Sequence, residues 1–246
     1  MTVLKVGVAQ ISSESGGIDR NLEAHLNAIE VAARCNISFL TFPELSLIGY
    51  EPELSQSLAI SGEDRRLEPL QLAAREHGLV VVAGAAIATR ALPQIGSFIF
   101  LPDGTIRTYA KMHLHPGEEK YFSVGTSYEL VSVGDSTIAN AICADTNVPE
   151  HVSDCVDKGA KIYISGAMIT RNGYVKDTEV LKSYARTYGI LVAVANQNSR
   201  SSRGQPCGKS AIWTPSGLLA LANESQSAIV IAKNTAAGWS GEVIEI

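Results

Sequence analysis

Short apolar runs alternate with amphipathic stretches in the first third of the chain. The apolar runs predict buried strands, and apolar residues repeated at helical spacing predict helices. In order, the predicted elements are strand Leu4–Ala9, helix Asp19–Cys35, strand Phe39–Phe42, helix Asp64–His77 and strand Leu79–Ile87. Asp19 is the expected N-cap of the first helix, and Gly78 is expected to end the second. This alternation predicts an α/β fold.

The pattern changes to antiparallel hairpins at two later places, each with a Pro-x-Gly turn. The predicted hairpin strands are Gly96–Leu101 with Thr105–Lys111, and Lys209–Thr214 with Leu218–Ala222. Between the hairpins the predicted elements are strand Thr137–Ile142, helix Pro149–Lys158, strand Ile162–Ser165, helix Val175–Tyr188 and strand Leu191–Asn196. We therefore expect two halves that share an architecture. The pattern does not choose between one large sheet and two packed sheets.

Composition narrows the class of protein. A chain of 246 residues with 46% hydrophobic and 18% charged residues is expected to fold as one globular domain over residues 1–246. The net charge of −5 and the scattered basic residues do not favour a nucleic-acid partner. No apolar run approaches the ~20 residues of a membrane-spanning helix, and the N-terminus lacks the layout of a signal peptide. We expect a cytoplasmic protein without a membrane partner.

The four cysteines are expected to be free thiols, because they form no CxxC pair and no metal-binding spacing with histidine. Cys143 differs from the others because it ends an apolar strand and precedes a polar turn and a helix that opens at Pro149. The helix dipole at such a turn can favour the thiolate, so Cys143 is a candidate nucleophile. The alternative is a small buried core residue, which suits Cys35, Cys155 and Cys207 better.

Two other polar residues stand at predicted strand ends. Glu44 lies among apolar neighbours, which would raise its proton affinity and suit a general base, although a surface carboxylate is the alternative. Lys111 ends a hairpin strand, where a solvated lysine is the alternative. His113 and His115 follow it, but two ligands are too few for a metal site, so neither metal nor cofactor is expected.

Taken together, these segments resemble the nitrilase, or carbon–nitrogen hydrolase, superfamily in its amidase-like branch. Phe42-Pro43-Glu44 is similar to the superfamily's F-P-E motif, and Lys111-Met112-His113-Leu114 to its K-x-H-L motif. The third motif, C-x-D-x-x-x-P-E, is matched by Cys143, Asp145, Pro149 and Glu150. The order of the three motifs is also the same. Glu118, followed by Tyr121-Phe122 and Gly125, resembles a superfamily glutamate that lies beside the lysine.

The resemblance implies a four-layer α-β-β-α sandwich that pairs as a homodimer or a higher oligomer. It also implies that Glu44, Lys111 and Cys143 form a catalytic triad, with Glu118 orienting the lysine. The cysteine would attack a small amide or an N-carbamoyl compound, form a thioester and release ammonia. The backbone N–H of Ala144 would help to bind the oxyanion.

The resemblance leaves the substrate open among amides, ω-amides of 2-oxo acids, N-carbamoyl compounds and nitriles. Ala144 stands where related amidases often carry Tyr and nitrilases Trp, which is expected to widen the pocket and weighs against a nitrile substrate. Arg171, in the stretch after the strand Ile162–Ser165, is a candidate partner for a substrate carboxylate, with a solvated loop arginine as the alternative. An acyltransferase and a non-catalytic binding protein on the same fold are the competing hypotheses.

Overall fold

Two mixed sheets form the centre of the protein in the computed structural model, which describes residues 3–246. The first sheet has seven strands, in the order β13-β12-β1-β2-β3-β4-β5. Its strands are β1 (Lys5–Gln10), β2 (Phe39–Thr41), β3 (Val80–Ile87), β4 (Gln94–Phe100), β5 (Ile106–Ala110), β12 (Ala228–Thr235) and β13 (Gly238–Glu245). The second sheet has six strands, in the order β11-β10-β9-β8-β7-β6. Its strands are β6 (Leu130–Val133), β7 (Ser136–Ile142), β8 (Ile162–Ala167), β9 (Leu191–Asn196), β10 (Ala211–Thr214) and β11 (Gly217–Leu221).

The two sheets share one plan, as the repeated hairpins predict. Strands β1, β2 and β3 are parallel, and β4 and β5 add an antiparallel hairpin. In the second sheet β7, β8 and β9 are parallel, and β10 and β11 add the matching hairpin. The turn after β2 packs against Gly166 of β8, which pairs with Ile142 at the end of β7, so the turns after β2 and β7 lie at the same end of the protein.

Helices cover the outer face of each sheet and complete four layers. The helices are α1 (Ile18–Arg34), α2 (Ser55–Leu58), α3 (Glu68–His77), α4 (Pro149–Asp157) and α5 (Tyr174–Tyr188). Helices α1 and α3 pack on the first sheet, and α5 packs on the second beside α4. The inner faces of the sheets pack together, with β1 against β9 and β2 against β8. This α-β-β-α arrangement confirms the implied fold and decides for two sheets.

Several element boundaries differ from the prediction. Helix α1 begins at Ile18 after Gly17, so the expected N-cap, Asp19, lies inside the first turn, where a carboxylate favours the helix dipole. Asp64 caps a separate short 3₁₀ helix by accepting a hydrogen bond from the backbone of Arg66, and α3 follows it. Cys35 lies just beyond the end of α1.

The prediction missed β6, β12 and β13. Strand β12 pairs with β1 along six residues and is buried at Ala228–Ala232, a continuous apolar run that would have justified a buried strand. Strand β13 carries mostly exposed residues and has no clear alternation, so it depends on its pairing with β12. In the part of the chain that the structure describes, every helix is too short or too polar to cross a membrane.

Candidate active site

Three of the predicted site residues meet in a buried ion cluster at the end of the sandwich that carries the turns after β2 and β7. The Nζ atom of Lys111, just after β5, lies 2.7 Å from Oε1 of Glu44. It also lies 3.0 and 2.8 Å from Oε1 and Oε2 of Glu118. Glu44 and Lys111 are 1% and 0% exposed. A buried ammonium is thus held between two carboxylates, each of which offsets part of its desolvation cost.

The turn that carries Glu44 is fixed between the two sheets. A Cβ atom at Gly84, on β3, would lie 2.3 Å from the carbonyl oxygen of Pro43. A Cβ atom at Gly166, on β8, would lie 2.6 Å from the carbonyl oxygen that precedes Pro43. The side chain of Gln197, after β9, donates a 2.5 Å hydrogen bond to the carbonyl oxygen of Glu44. Only glycine allows both sheets to approach this turn so closely.

Cys143 directly follows strand β7 and is the first residue of a short 3₁₀ helix, Cys143–Asn147. Its φ of 44° is in the left-handed region, which a non-glycine residue adopts only when its surroundings impose it. The backbone N–H of Cys143 donates to Oγ of Ser165, on β8, at 3.1 Å. The half-buried side chain therefore has a fixed position and reaches the cavity beside the ion cluster.

Asp145 joins the nucleophile turn to the lysine segment. Its buried carboxylate accepts hydrogen bonds from the backbone N–H groups of Met112 and His113, at 3.0 and 2.9 Å. It also accepts from the N–H of Ile142, at 2.9 Å, and from the hydroxyl of Tyr109, at 2.7 Å. The spacing of Lys111 and Cys143 therefore depends on a carboxylate from the same motif as the cysteine.

Glu118 is held by donors other than Lys111. The hydroxyl of Tyr50 donates to Oε1, and the backbone N–H of His115 donates to Oε2 at 2.7 Å. Both oxygens of Glu118 are thus occupied, which suits a fixed partner of the lysine. In contrast, Oε2 of Glu44 is buried and has no hydrogen-bond partner among the described residues. Glu44 therefore has a free oxygen that can accept a proton.

Burial raises the pKa of Glu44 to about 7, because the attraction of Lys111 only partly offsets the loss of solvent and the charge of Glu118 raises it further. Burial by itself would lower the pKa of Lys111, but the charges of Glu44, Cys143 and Glu118 hold that pKa above its ordinary value. The lysine is therefore a permanent cation, and Glu44 exchanges a proton near neutral pH.

The structure contradicts the expectation that the turn favours a thiolate at Cys143. Burial and the nearby charge of Glu44 raise the pKa of the thiol, and the attraction of Lys111 does not compensate. A resting thiol at this position needs a base to take its proton, and Glu44 is the group that can do so.

A cavity of about 510 Å³ opens onto Cys143 and Glu118. Its lining includes the apolar side chains of Met168 and Ile169 and the polar or charged side chains of residues such as Asn147, Lys176, Asp177 and Arg203. A cavity of this size suits a small metabolite. Within residues 3–246 no group of three or more His, Cys, Asp or Glu side chains is arranged to hold a metal ion.

The comparison with known proteins accords with this geometry. A family model described as carbon-nitrogen hydrolase matches residues 5–239. The chain belongs to the carbon–nitrogen hydrolase family. The resemblance carried by Glu44, Lys111 and Cys143 is thereby confirmed at the level of the family.

Three relatives of this carbon–nitrogen hydrolase differ in what they do. A glutamine-dependent NAD(+) synthetase of Thermotoga maritima is 27% identical over 80% of the chain, which spans only 36% of that protein. A nitrilase of Pyrococcus abyssi is 22% identical, over 94% of the chain and 89% of the relative. The amidase of Nesterenkonia sp. AN1, solved with acrylamide added to its active-site cysteine, superposes with a TM-score of 0.84 at 21% identity, over 93% and 92% of the two chains. This last similarity confirms the fold.

Two of the predicted substrate contacts lie outside the cavity. Arg171 is not part of its lining, because its largely exposed guanidinium pairs with Glu224. Ala144, like Glu44 and Lys111, is buried and is not among the lining residues, so the widening of the pocket by its small side chain stays a prediction. Its backbone N–H belongs to the first turn of the 3₁₀ helix, where amides have no partner within the helix.

Sequence reasoning missed functional groups that depend on the fold of this carbon–nitrogen hydrolase. Tyr50, Ser165 and Gln197 each fix a member of the ion cluster or the nucleophile turn. Tyr50 is the last residue of the segment that carries Glu44, and Gln197 directly follows β9 much as Glu44 follows β2. The position just after a strand was therefore the available signal. Lys176 and Asp177, which line the cavity from α5, had no such signal.

Proposed function

We propose that this carbon–nitrogen hydrolase is a thiol-dependent amidase with Glu44, Lys111 and Cys143 as its catalytic triad and a small amide as its substrate. The observation that carries the proposal is the buried contact between Lys111 and Glu44 beside Cys143, with one oxygen of Glu44 left free. A buried base and cation beside a nucleophile that opens onto a cavity are the groups that acyl transfer requires.

In the first step Glu44 takes the thiol proton as the sulfur of Cys143 attacks the carbonyl carbon of the amide. An S–C bond forms, and the π electrons of the carbonyl move to its oxygen. The ammonium of Lys111 and the backbone N–H of Ala144 stabilise that oxyanion, which develops in a site largely shielded from water. Glu44 is now protonated, in keeping with its raised pKa.

In the second step the tetrahedral intermediate collapses and the C–N bond breaks. Glu44 gives its proton to the leaving nitrogen, ammonia departs, and a thioester remains on Cys143. Glu44 then takes a proton from water, which attacks the thioester carbon. The C–S bond breaks, the carboxylic acid leaves, and the thiol recovers its proton. Nothing is oxidised or reduced.

Glu118 acts through Lys111 in this scheme. It accepts hydrogen bonds from Lys111 through both oxygens and from Tyr50 and His115, so it fixes the ammonium toward the reaction centre. An unpaired ammonium at this depth would be costly, and a second carboxylate leaves the lysine charged when Glu44 is protonated.

Nitriles are the second candidate substrate, and the specific support is the Pyrococcus abyssi nitrilase, which matches 94% of the chain. Attack of Cys143 on a nitrile carbon would use the same three residues.

N-carbamoyl compounds fit the same chemistry as amides. A non-catalytic binding protein is the remaining alternative, and a homodimer remains part of the proposal.

The test is ammonia release from small amides, ω-amides of 2-oxo acids, N-carbamoyl amino acids and nitriles, with Cys143→Ala in parallel. We expect release from amides and a loss of about 10⁶-fold in the variant, the scale for removing a covalent nucleophile. Release from nitriles alone would favour the second candidate. No release, together with a Cys143 that iodoacetamide does not alkylate, would favour the binding protein.

A further inference from the structure

A buried chain of side-chain hydrogen bonds ends at the turn that carries the nucleophile. His151, on α4, is 0% exposed and lies between two tyrosine hydroxyls. Its Nδ1 is 2.9 Å from the hydroxyl of Tyr163, on β8, and its Nε2 is 2.8 Å from the hydroxyl of Tyr109, on β5. Tyr109 in turn donates to Asp145 at 2.7 Å. The proposed mechanism uses neither His151 nor the two tyrosines.

The direction of these hydrogen bonds follows from Asp145. Its carboxylate, which can only accept, also receives three backbone N–H groups. A tyrosine hydroxyl has one proton, and Tyr109 gives that proton to Asp145. The oxygen of Tyr109 can therefore only accept from His151, so the hydrogen of the imidazole must lie on Nε2.

The other end of the chain requires the same tautomer. Burial lowers the pKa of His151, an effect that His113 increases and that Asp145 and Asp154 oppose, so the ring is neutral near pH 7. With its hydrogen on Nε2, the ring has an acceptor at Nδ1. Within residues 3–246 the buried hydroxyl of Tyr163 has no other partner, so it donates to that nitrogen.

We infer that His151 is a positioning residue of the proposed amidase. As the Nε2–H tautomer it commits the proton of Tyr109 to Asp145, and so fixes the spacing of Lys111 and Cys143. The inference rests on the proposed function and adds a residue to it that acts only through others. His151 is buried and is not among the residues that line the cavity.

The opposite tautomer would weaken the anchor. Its Nε2 would be an acceptor and would compete with Asp145 for the one proton of Tyr109. Its Nδ1–H would point at the hydroxyl of Tyr163, whose own proton would then have no acceptor in the part of the chain that the structure describes. An unsatisfied polar group in this buried position is costly, so the two tyrosines together select one tautomer.

The tautomer can be measured directly in protein labelled with ¹⁵N-histidine. Long-range ¹H–¹⁵N correlation spectra distinguish the protonated ring nitrogen from the bare one in each histidine, and His151→Gln assigns the signals of His151. We expect hydrogen on Nε2. A bare Nε2 or an equal mixture of tautomers in the unaltered protein would overturn the inference.

His25 is an internal control in the same spectrum. It is buried as well, but its Nδ1 lies 2.6 Å from the carbonyl oxygen of Asn21, which can only accept. Its Nε2 then accepts from the hydroxyl of Ser46, at 2.9 Å. His25 and His151 should therefore show opposite tautomers, a difference that burial by itself does not produce.

Tyr163→Phe tests the selection of the tautomer without touching Tyr109 or Asp145. Loss of the donor to Nδ1 should allow both tautomers, and kcat for butyramide should fall about tenfold while KM changes less than twofold. The matched control is Tyr128→Phe. That ring also packs on His151, at 5.2 Å between centroids, but its hydroxyl donates to Asp154. Unchanged kcat in Tyr163→Phe, or an equal loss in both variants, would contradict the inference.

Replacement of His151 separates hydrogen bonding from packing. The amide of glutamine can still donate to Tyr109, whereas leucine cannot. Among folded variants we expect His151→Gln to keep kcat at least about tenfold above that of His151→Leu. Equal losses in the two would mean that the imidazole only fills space. If neither variant folds, Tyr163→Phe and the tautomer decide.

The tautomer and the reactivity of Cys143 are read without any amide substrate, which separates this inference from the proposed function. If no amide is hydrolysed but His151 carries its hydrogen on Nε2, and Tyr163→Phe slows alkylation of Cys143 by iodoacetamide about tenfold, the positioning role stands and the amidase proposal fails. If butyramide is hydrolysed and Tyr163→Phe changes neither the tautomer nor kcat, the amidase proposal stands and the inference fails.

Discussion

Tyr109 and Asp145 join the two sheets through a buried hydrogen bond of 2.7 Å. Tyr109 lies on β5 of the first sheet, two residues before Lys111, and Asp145 lies on the turn that carries Cys143 in the second. The same tyrosine hydroxyl is 2.8 Å from Nε2 of His151. Lys111 is the proposed cation that stabilises the oxyanion, and Cys143 is the proposed nucleophile. The distance between them is thus set by a hydrogen bond in which neither residue takes part.

Asp145→Ala should lower both stability and turnover, because it leaves several buried donors without an acceptor. One such donor costs about 1–3 kcal/mol, so we expect a loss of about 3 kcal/mol or more in the free energy of unfolding. Urea unfolding and kcat measure the two effects. Asp157→Asn, a change at an exposed carboxylate on α4, is the control and should match the unaltered protein. An Asp145→Ala protein with normal stability would contradict the anchoring role.

Gly84→Ala should displace the turn that carries Glu44. The new methyl group would lie 2.3 Å from the carbonyl oxygen of Pro43, a backbone atom that cannot move without moving Glu44. We expect a loss of about 1–3 kcal/mol of stability from overpacking and a marked drop in kcat. Gly62→Ala is the matched control, since nothing lies within 4 Å of its position. Equal melting temperatures for the two variants would show that the turn with Pro43 and Glu44 can move to make room for the methyl group without loss of stability.

The sequence predicted the parts of the site that depend on local order. Glu44, Lys111 and Cys143 each follow a strand that a short apolar run or a hairpin turn identifies, and the shared plan of the two sheets brings those strand ends together. The motif resemblance then supplied the pairing of Glu44 with Lys111, which periodicity alone leaves open.

The remaining parts depend on contacts between distant segments. Arg171 was a reasonable carboxylate partner until the fold placed Glu224, 53 residues away, against its guanidinium. The direction of the Cys143 pKa depends on burial and on the distance to Glu44, neither of which a strand-to-helix pattern contains. Lys176 looks like any exposed helical lysine until α5 is packed beside the cavity.

The pH dependence of kcat/KM should report the raised pKa of Glu44. The proposed base must be ionised to take the thiol proton, so activity should be lost as pH falls through about 7, by about tenfold per pH unit below it. Because the shift is upward, the loss begins well above the ordinary glutamate value of 4.5. A profile of kcat/KM for butyramide and L-glutamine between pH 4 and 9 measures it. An acid limb near 4.5 would mean that burial does not control this carboxyl.

Glu118→Gln should lower kcat and also move that acid limb to lower pH. The charge of Glu118 raises the pKa of Glu44, so removing it makes Glu44 easier to ionise. At the same time Lys111 loses a charged partner that bonds it through both oxygens, and we expect kcat to fall at least about tenfold, or 1.4 kcal/mol.

The control for this change is Glu119→Gln, which removes the adjacent, exposed carboxylate and should leave both kcat and the profile unchanged. A purely structural role for Glu118 would lower the amount of folded protein without moving the acid limb. A lower kcat with the limb still at its original pH would therefore separate Glu118 from the ionisation of Glu44. A limb displaced toward lower pH would tie the two carboxylates to one shared ammonium, that of Lys111.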